Sequence, residues 1–361
     1  MHILQGWADL PEGLLGSTIA RLGLVSFSDL VAFSATCRSW CAAFSTFIPL
    51  LPPLLLQPDV PMCFPCPNQD TYQCCQIPLD SIFDNTPPSP LEGFCFNGVA
   101  YGHRIFSRDK SCLIVDVFTG VSVSSPQLPV VKDTELFYAA LTAHLASPNS
   151  HLIVDIGSRN LFWRVGSQYW VGRSPVDGPI KQIVVFKGHV FGIDNDLKLF
   201  NAQLTPRIHI QEIPVMESSM IKKWHRSNGW LVTCGDMLLL VALRGPIIVT
   251  AVTFEVFCLD LSTEPASWLK VEKLENWAIF ISIDKRSQGL YCMNPEIWGG
   301  RSNYIYCDNH DSKRWVALEL GKPVQGDGST STFNPNVFIF TGRNSRVQPM
   351  WVVPSMLSLC R

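Results

Sequence analysis

The sequence predicts a multi-domain protein of the α plus all-β class, in which a short helical domain precedes a β-propeller of four-stranded blades. Three observations predict this class. Residues 1–47 are helical in pattern, residues 48–92 are rich in Pro and Cys, and residues 93–361 contain many short apolar runs. Proline at this density ends helices and removes hydrogen-bond donors from strands, so we interpret residues 48–92 as a linker or a wrapped loop.

The strand pattern is clearest between Ile180 and Pro214. Four apolar runs in this segment are joined by short polar turns, and they lie at Ile183–Phe186, His189–Ile193, Leu197–Phe200 and Ile208–Ile213. Four strands joined by tight turns make up one propeller blade. Similar units recur about every 45 residues, as repeat architectures do. A two-sheet sandwich would be overfilled by a segment of this length. The repeats do not fix the number of blades, and we expect five to seven.

The composition favours a folded protein that binds other proteins. Hydrophobic residues make up 47% of the chain, charged residues 16%, and the formal net charge is −2. Disordered chains show the opposite balance. The Lys and Arg residues are scattered, which gives no basic surface for nucleic acid or an anionic membrane. We therefore expect a protein partner, with no nucleic acid and no membrane.

The location that we expect is the cytoplasm, the nucleus or both. Met1 to Trp7 has no basic region followed by an apolar stretch of the kind that begins a signal peptide. The 13 cysteines are therefore expected to be reduced and mostly buried. The most apolar segment, Met237 to Leu261, is interrupted by Arg244 and contains Glu255. It predicts two buried strands and no membrane span.

The N-terminal 47 residues predict three short helices. Asp9 to Glu12 and Ser26 to Asp29 have the form of capping boxes, which begin helices. Apolar residues then follow at helical spacing, first at Leu15, Ile19 and Leu22, and next as one continuous seam at Leu30, Phe33, Cys37, Trp40 and Phe44. Such a small module buries little surface alone, so packing on a partner would stabilise it.

These residues resemble the F-box, in order and in spacing. The matching positions are Leu10-Pro11, Leu14-Leu15, Ile19, Leu22, Asp29-Leu30, Phe33 and Cys37-Arg38-Ser39-Trp40. The resemblance implies binding to the Skp adaptor, and through it to the cullin of a Skp–cullin–F-box ubiquitin ligase. It implies an adaptor-facing or adaptor-supporting set of Leu10, Pro11, Leu14, Leu15, Ile19, Leu22 and Trp40.

Two features depart from the F-box pattern, and one alternative stays open. Gly13 and Gly16 each weaken the first helix by about 0.8–1 kcal/mol relative to Ala. Cys41 stands where an arginine often follows the tryptophan. The alternative is an ordinary helical hairpin whose apolar seam packs on the C-terminal domain of the same chain.

The C-terminal segment resembles the KIB-type, kelch-like β-propeller, a plant domain formerly labelled as of unknown function and often preceded by an F-box. The resemblance rests on segments at Gly229–Val232, Gly235–Val241, Phe254–Asp260, Trp268–Val271, Asn303–Asp308 and Trp351–Ser355. It implies a non-catalytic subunit that captures a target protein for ubiquitination. The target and the propeller residues that bind it are not identified by the sequence.

Metal and aromatic sites are possible but less favoured interpretations. Cys63, Cys66, Cys74 and Cys75 include one C-x-x-C pair, which is half of a structural zinc site. The adjacent Cys74 and Cys75 do not supply the other half, so we expect inert thiols and neither a metal nor a cofactor. The Trp and Phe residues are expected to fill the space between blades, although an aromatic recognition surface is conceivable.

Catalytic patterns are weak throughout the chain. His151 with Asp155 and His310 with Asp311 are the nearest pairs, and no nucleophile elbow, zinc-protease or P-loop motif is present. We therefore predict that the protein is not an enzyme. Two alternatives remain, a propeller scaffold without a ligase and a propeller hydrolase. The hydrolase needs carboxylates that converge at the central channel, for which the candidates are Asp116, Asp155 and Asp260.

Overall fold

The computed structural model shows a helical segment and a set of four-stranded antiparallel and mixed sheets. It describes residues 10–23, 32–33, 36–47, 53–57, 60–64, 73–75, 94–117, 120–130, 136, 138–174, 179–216, 229–244, 253–282, 285–298, 300–309, 314–322 and 350–352. The two complete α-helices within these ranges are α1 (Glu12–Gly23) and α2 (Arg38–Phe47). Ala32 and Phe33 are also helical, and Pro295–Trp298 forms a 3₁₀ helix. No helix in these ranges is both long enough and apolar enough to cross a membrane.

Five blades follow one another along the chain, and each contains four strands. Blade 1 contains β4 (Cys95–Ala100), β5 (His103–Arg108), β6 (Ser111–Asp116) and β7 (Ser122–Ser124). Blade 2 contains β8 (Tyr138–Leu141), β9 (His151–Asp155), β10 (Asn160–Arg164) and β11 (Val171–Gly172). Blade 3 contains β12 (Gln182–Phe186), β13 (His189–Ile193), β14 (Leu199–Gln203) and β15 (His209–Ile213).

Blades 4 and 5 continue this series. Blade 4 contains β16 (Gly229–Cys234), β17 (Met237–Arg244), β18 (Thr253–Asp260) and β19 (Ser267–Val271). Blade 5 contains β20 (Trp277–Ile281), β21 (Leu290–Met293), β22 (Tyr304–Asn309) and β23 (Arg314–Glu319). Its order is β21-β20-β22-β23, and β20 pairs with β22 in parallel. The predicted antiparallel pattern therefore fails in blade 5, because β21 turns back on the inner side of β20.

The five blades close into a ring through their inner strands β4, β8, β12, β16 and β21. Contacts join β4 to β8, β12 to β16 and β16 to β21. The Ile183 N–H donates to the Tyr138 hydroxyl at 3.2 Å, which joins β12 to β8. A parallel bridge between Val99 and Ser287 joins blade 1 to the segment before β21. The protein is therefore a five-bladed propeller with four-stranded blades.

A sixth four-stranded sheet joins distant parts of the sequence. It contains β24 (Met350–Val352), β1 (Leu54–Gln57), β2 (Val60–Phe64) and β3 (Gln73–Cys75), in that order. The Trp351 N–H donates to the Ser282 hydroxyl at 3.3 Å, and β24 also contacts β4. Three strands thus lie inside residues 48–92, which the sequence analysis interpreted as a linker. The sequence analysis did not predict these strands, because the segment is rich in Pro and because β24, which pairs with β1, is far away in the sequence.

Apolar layers between neighbouring blades form the core. Each layer takes side chains from two adjacent sheets, as for Leu231 and Phe257 of blade 4 with Phe191 of blade 3. Trp163, Trp230, Trp351, Phe162 and Phe280 are among the largest fully buried side chains. Their positions confirm that the aromatic residues fill the space between blades.

The cysteines are mostly buried thiols, as expected. Among the described cysteines, Cys112, Cys234, Cys292 and Cys307 are buried. Burial raises the pKa of the Cys112 and Cys234 thiols to about 12, which keeps them protonated and unreactive. One cysteine differs from the expectation, because Cys41 is disulfide-bonded. Its partner is not among the side chains that the structure describes.

The strand pattern of the sequence was largely correct. All four strands predicted between Ile180 and Pro214 are present, as blade 3. The apolar segment from Met237 to Leu261 forms the strands β17 and β18, as predicted. The innermost strands β8 and β21 were missed. β8 is only four residues long, contains two alanines and has no β-branched residue, so it lacks most of the residues that mark strands.

The helical segment begins and breaks at points that the pattern did not predict. α1 starts at Glu12, where the Pro11 carbonyl accepts hydrogen bonds from the Leu14 and Leu15 N–H groups. The helix therefore starts later than a capping box from Asp9 to Glu12 would place it. Asp9 itself, Leu30 and the second predicted capping box, Ser26 to Asp29, lie outside the described residues.

The predicted seam from Leu30 to Phe44 does not lie on one helix. Thr36 donates its hydroxyl to the Ala32 carbonyl at 3.1 Å, and its N–H donates to the Phe33 carbonyl. In a continuous α-helix the Thr36 N–H would bond to the Ala32 carbonyl instead. The Thr36 N–H bonds three residues back, the backbone at Thr36 and Cys37 is not helical, and α2 begins at Arg38. The described residues contain two complete α-helices and the helical residues Ala32 and Phe33, and they do not show a three-helix module.

The inner ring makes a testable prediction about Gly98. A Cβ atom there would lie 2.1 Å from the Ala139 carbonyl oxygen and 3.1 Å from the Arg286 carbonyl oxygen. Both neighbours are backbone atoms, so Gly98→Ala should destabilise the propeller by about 1–3 kcal/mol or more. Thermal unfolding of the full chain would measure this change. Gly13→Ala is the matched control, because a Cβ there meets nothing within 4 Å and the change should stabilise α1.

The sixth sheet makes a second prediction, through Trp351. This side chain is 1% exposed and packs edge-on against Phe280, with ring centroids 4.9 Å apart. Trp351→Ala should lower the free energy of unfolding by about 3–5 kcal/mol. Tyr169→Ala removes an aromatic side chain that is 69% exposed, and it should change the stability little. Equal losses in urea denaturation of the two variants would contradict the placement of β24 in the core.

Candidate protein-interaction surface

The α1 helix presents one apolar face to α2 and a different apolar position to solvent. Leu15 is 3% exposed and Ile19 is 0% exposed, whereas Leu14 is 56% exposed. Leu14 lies one residue, or about 100°, around the helix from Leu15. The predicted adaptor-binding set therefore divides into residues that form the helical core and residues that face outward.

The core of the helical segment lies between α1 and α2, which pack against each other. The buried residues of this segment share an apolar character, and they are Leu15, Ile19, Phe33, Cys41, Ala43 and Phe44. The ring of Phe33 lies 4.5 Å from that of Trp40, with the two planes tilted by 30°. Leu15 and Ile19 hence support the fold of this segment, and a partner could reach them only by opening it.

The outward face of α1 is centred on Leu14. Pro11 is exposed one turn before it, and Leu10 and Trp40 are each half-buried. The Ser17 hydroxyl donates to the Gly13 carbonyl at 2.8 Å, and the Thr18 hydroxyl donates to the Leu14 carbonyl at 2.9 Å. These hydroxyl protons are used within the helix, so the surface beside Leu14 is less polar than its sequence suggests. Leu22 lies in α1, but its side chain is outside the described part.

The glycines of α1 do not distort it. A Cβ atom at Gly13 or Gly16 would meet no other atom within 4 Å. The helix runs unbroken through both positions, from Glu12 to Gly23. Gly13 and Gly16 are therefore expected to lower the stability of α1 only through their low helix propensity.

Each carboxylate that the hydrolase alternative needs has local partners in the structure. Asp116 in blade 1 is buried beside His103 and His144. Asp155 in blade 2 is fully buried, pairs with the Lys181 ammonium and accepts a hydrogen bond from the Gly157 N–H. Each therefore has partners of its own, in a different blade.

Asp260 in blade 4 is the third of these carboxylates, and it too is held locally. It accepts hydrogen bonds from the hydroxyl and the N–H of Ser262, which lower the pKa of this exposed carboxyl. The three carboxylates thus lie on three blades, and each is bound by partners close to it.

The histidine pairs identified in the sequence also give no catalytic arrangement. His151 begins β9 and Asp155 ends it, so they lie at opposite ends of the strand. The His151 Nδ1 bonds to the Asn149 carbonyl at 2.9 Å. His310 and Asp311 lie outside the described residues. Pairing of β2 with β3 places Cys63 opposite Cys74 in register, and the structure does not describe their side chains.

The sequence analysis did not identify one cluster of two histidines and an aspartate. His103, Asp116 and His144 are brought together by the β5–β6 pairing and by the connection between β8 and β9. Their sequence separations follow no motif. The β5–β6 hairpin places His103 opposite Asp116 at one end of blade 1. This register is the sequence signal that could have predicted the proximity of His103 and Asp116.

Comparison with known proteins places the propeller in a family. The sequence matches the family described as KIB1-4 beta-propeller over residues 74–334. A search of curated proteins gives no match. Similar solved structures include the N-terminal domain of Nup159, at 9% identity and a TM-score of 0.31, with 49% of this chain and 47% of that chain covered.

A second similar structure is the β-propeller domain of Cps50 (Swd1) from Myceliophteria thermophila. It shares 12% identity and a TM-score of 0.32, and the similarity covers 64% of this chain and 86% of that chain. The chain thus spans less than half of the Nup159 domain and most of the Cps50 domain. The family match covers well over half of the sequence and contains all five blades. The chain belongs to the KIB1-4 beta-propeller family.

Proposed function

We propose that this protein is the target-recognition subunit of a Skp–cullin–F-box ubiquitin ligase of plant type. The N-terminal helices bind the Skp adaptor, and through it the cullin, while the propeller binds the protein to be ubiquitinated. The subunit performs no chemistry itself. It raises the rate of ubiquitin transfer by holding the target near the enzyme that transfers it. The proposed location is the cytoplasm, the nucleus or both.

The division of the apolar residues on α1 carries this proposal. Leu15 and Ile19 are used inside the helical segment, so the outward position of Leu14 is not needed for the fold. Leu14, Pro11 and the half-buried Leu10 and Trp40 all belong to the set that the F-box resemblance assigns to adaptor binding. An apolar side chain on a small helical module gains most from burial against a partner.

The propeller supports the second half of the proposal. Its five blades expose connecting loops at both ends of the strands while the aromatic side chains stay between the blades. Propellers of this kind present a rigid surface with variable loops, which suits recognition of a folded protein. A propeller scaffold without a ligase remains the second function, and adaptor binding distinguishes the two.

Adaptor binding provides the direct test. Leu14→Ala in the full chain should weaken binding to a purified Skp adaptor about tenfold, since truncating an interface leucine costs about 1–2 kcal/mol. Leu269→Ala is the matched control, because Leu269 has nearly the same exposure, 53%, but lies on β19 of the propeller. Biolayer interferometry with immobilised adaptor would measure both, and the control should bind as the unchanged chain does.

Two outcomes of this measurement would contradict the proposal. If the unchanged chain does not bind the adaptor, the ligase assignment fails and the scaffold function is favoured. If Leu14→Ala and Leu269→Ala weaken binding equally, α1 is not the adaptor-binding element. Circular dichroism of each variant would show that the fold is retained.

A further inference from the structure

A cluster of two histidines and one aspartate lies where blade 1 meets blade 2. His103 begins β5 and Asp116 ends β6, and the two are directly paired across the strands. His144 lies in the connection between β8 and β9 of the next blade. One nitrogen or oxygen atom from each of the three lies within 4.8 Å of the other two. This is the single such group of His, Cys, Asp and Glu donors found in the described ranges.

The orientation of His103 is fixed by the backbone. Its Nδ1 lies 2.7 Å from the Tyr101 carbonyl oxygen, which can only accept, so Nδ1 carries the proton. In the neutral ring the Nε2 lone pair then faces the Asp116 Oδ2 at 3.5 Å. Both side chains are almost fully buried. Two electron-pair acceptors at this distance repel each other in a site with little water, unless a proton or a metal cation lies between them.

His144 is held near this pair by the loop that carries it. The Tyr101 hydroxyl donates to the Thr142 carbonyl at 3.3 Å, and the Ser150 hydroxyl donates to the Ala143 carbonyl at 2.9 Å. The His144 Nε2 lies 3.9 Å from the Asp116 Oδ2, and its ring stands edge-on to that of His103 with centroids 4.6 Å apart. About a quarter of its side chain is exposed, whereas its Nε2 atom, which faces the other two residues, is buried.

We propose that the Nε2 of His103, the Oδ2 of Asp116 and the Nε2 of His144 bind one divalent transition-metal ion, for which zinc is the best fit. Two imidazole nitrogens with one carboxylate oxygen suit zinc, whereas magnesium and calcium prefer sets made of oxygen atoms. Donors around tetrahedral zinc stand about 3.3 Å apart, given bonds of about 2.0 Å. The separations of 3.5 Å and 3.9 Å from Asp116 need only a small inward movement, mainly of His144.

Metal binding would change the protonation of one ring. The Ala146 N–H now donates to the His144 Nδ1 at 3.2 Å, so in the neutral ring the proton is on Nε2. Coordination through Nε2 moves that proton to Nδ1, and this solvent-exposed hydrogen bond is lost. The shift of tautomer gives a spectroscopic signature that a simple hydrogen-bonded cluster would not show on addition of metal.

The ion would act as a clamp between blades. Two ligands come from blade 1 and the third from blade 2. The ion would bind the folded ring more tightly than the unfolded chain, so it would raise the free energy of unfolding. The proposal is independent of adaptor binding, because none of its residues lies in α1 or α2.

Zinc titration of the full chain tests this site. After removal of metal with a chelator, ZnCl₂ should raise the midpoint of thermal unfolding by several degrees. Titration calorimetry should detect one zinc ion per chain bound at this cluster. His144→Ala and Asp116→Asn should each weaken the affinity for that ion at least tenfold. His209→Ala, which removes an exposed histidine of β15, should leave it unchanged. Zinc should also move the ring ¹⁵N shifts of His144 from the Nε2–H to the Nδ1–H form.

Several results would overturn the proposal. They are the absence of zinc binding by the unchanged chain, binding that persists equally in His144→Ala and Asp116→Asn, or His144 ring shifts that do not respond to zinc. Binding that persists in both variants would assign the ion to other donors, such as the cysteines. The asparagine variant keeps the shape of the aspartate, and its unfolding midpoint without metal shows whether the fold survives the change.

Discussion

The closure of the ring between blade 5 and blade 1 is the contact on which the rest of the propeller depends. It is made by backbone atoms, because the Val99 N–H donates to the Arg286 carbonyl and the Gln288 N–H donates to the Val99 carbonyl. Only a glycine at position 98 lets β4 approach the Ala139 carbonyl on its other side. The Arg286 guanidinium adds a hydrogen bond to the Phe96 carbonyl at 2.7 Å, which fixes the junction.

The ring closes through its inner strands, so neither the helical segment nor the outer loops take part in the closure. Once the inner strands are paired around the axis, the inter-blade layers bury the aromatic residues, and the sixth sheet covers the junction through Trp351. The apolar side chains of the described propeller strands are largely buried between the blades. The helical segment differs, since its small core leaves Leu14 outside. The proposed adaptor role uses both features, a propeller with a buried core and a helical segment with an exposed apolar residue.

The sequence predicted the blades better than the parts that join them. The alternation and turns of blade 3 specify its strands locally, so all four were predicted correctly. β8 and β21 were not predicted although each pairs with a strand adjacent to it in the sequence, because they are only four residues long. β24 was not predicted as part of a sheet because its partner β1 lies far away in the sequence. In the helical segment, spacing placed Leu15 and Ile19 on one apolar face, and the F-box resemblance added Leu14, but neither could tell which residue faces outward. Which residue faces outward is decided only when α1 packs against α2. His103 and His144 likewise come together only when blade 1 packs against blade 2.

Hydrogen exchange of the full chain, with and without the Skp adaptor, tests the central claim that adaptor binding and target binding use separate parts of the molecule. The account predicts slower exchange in peptides covering α1 and α2 on adaptor addition, with the blade strands between Cys95 and Glu319 unchanged. Protection confined to the blades, or none in α1, would contradict it.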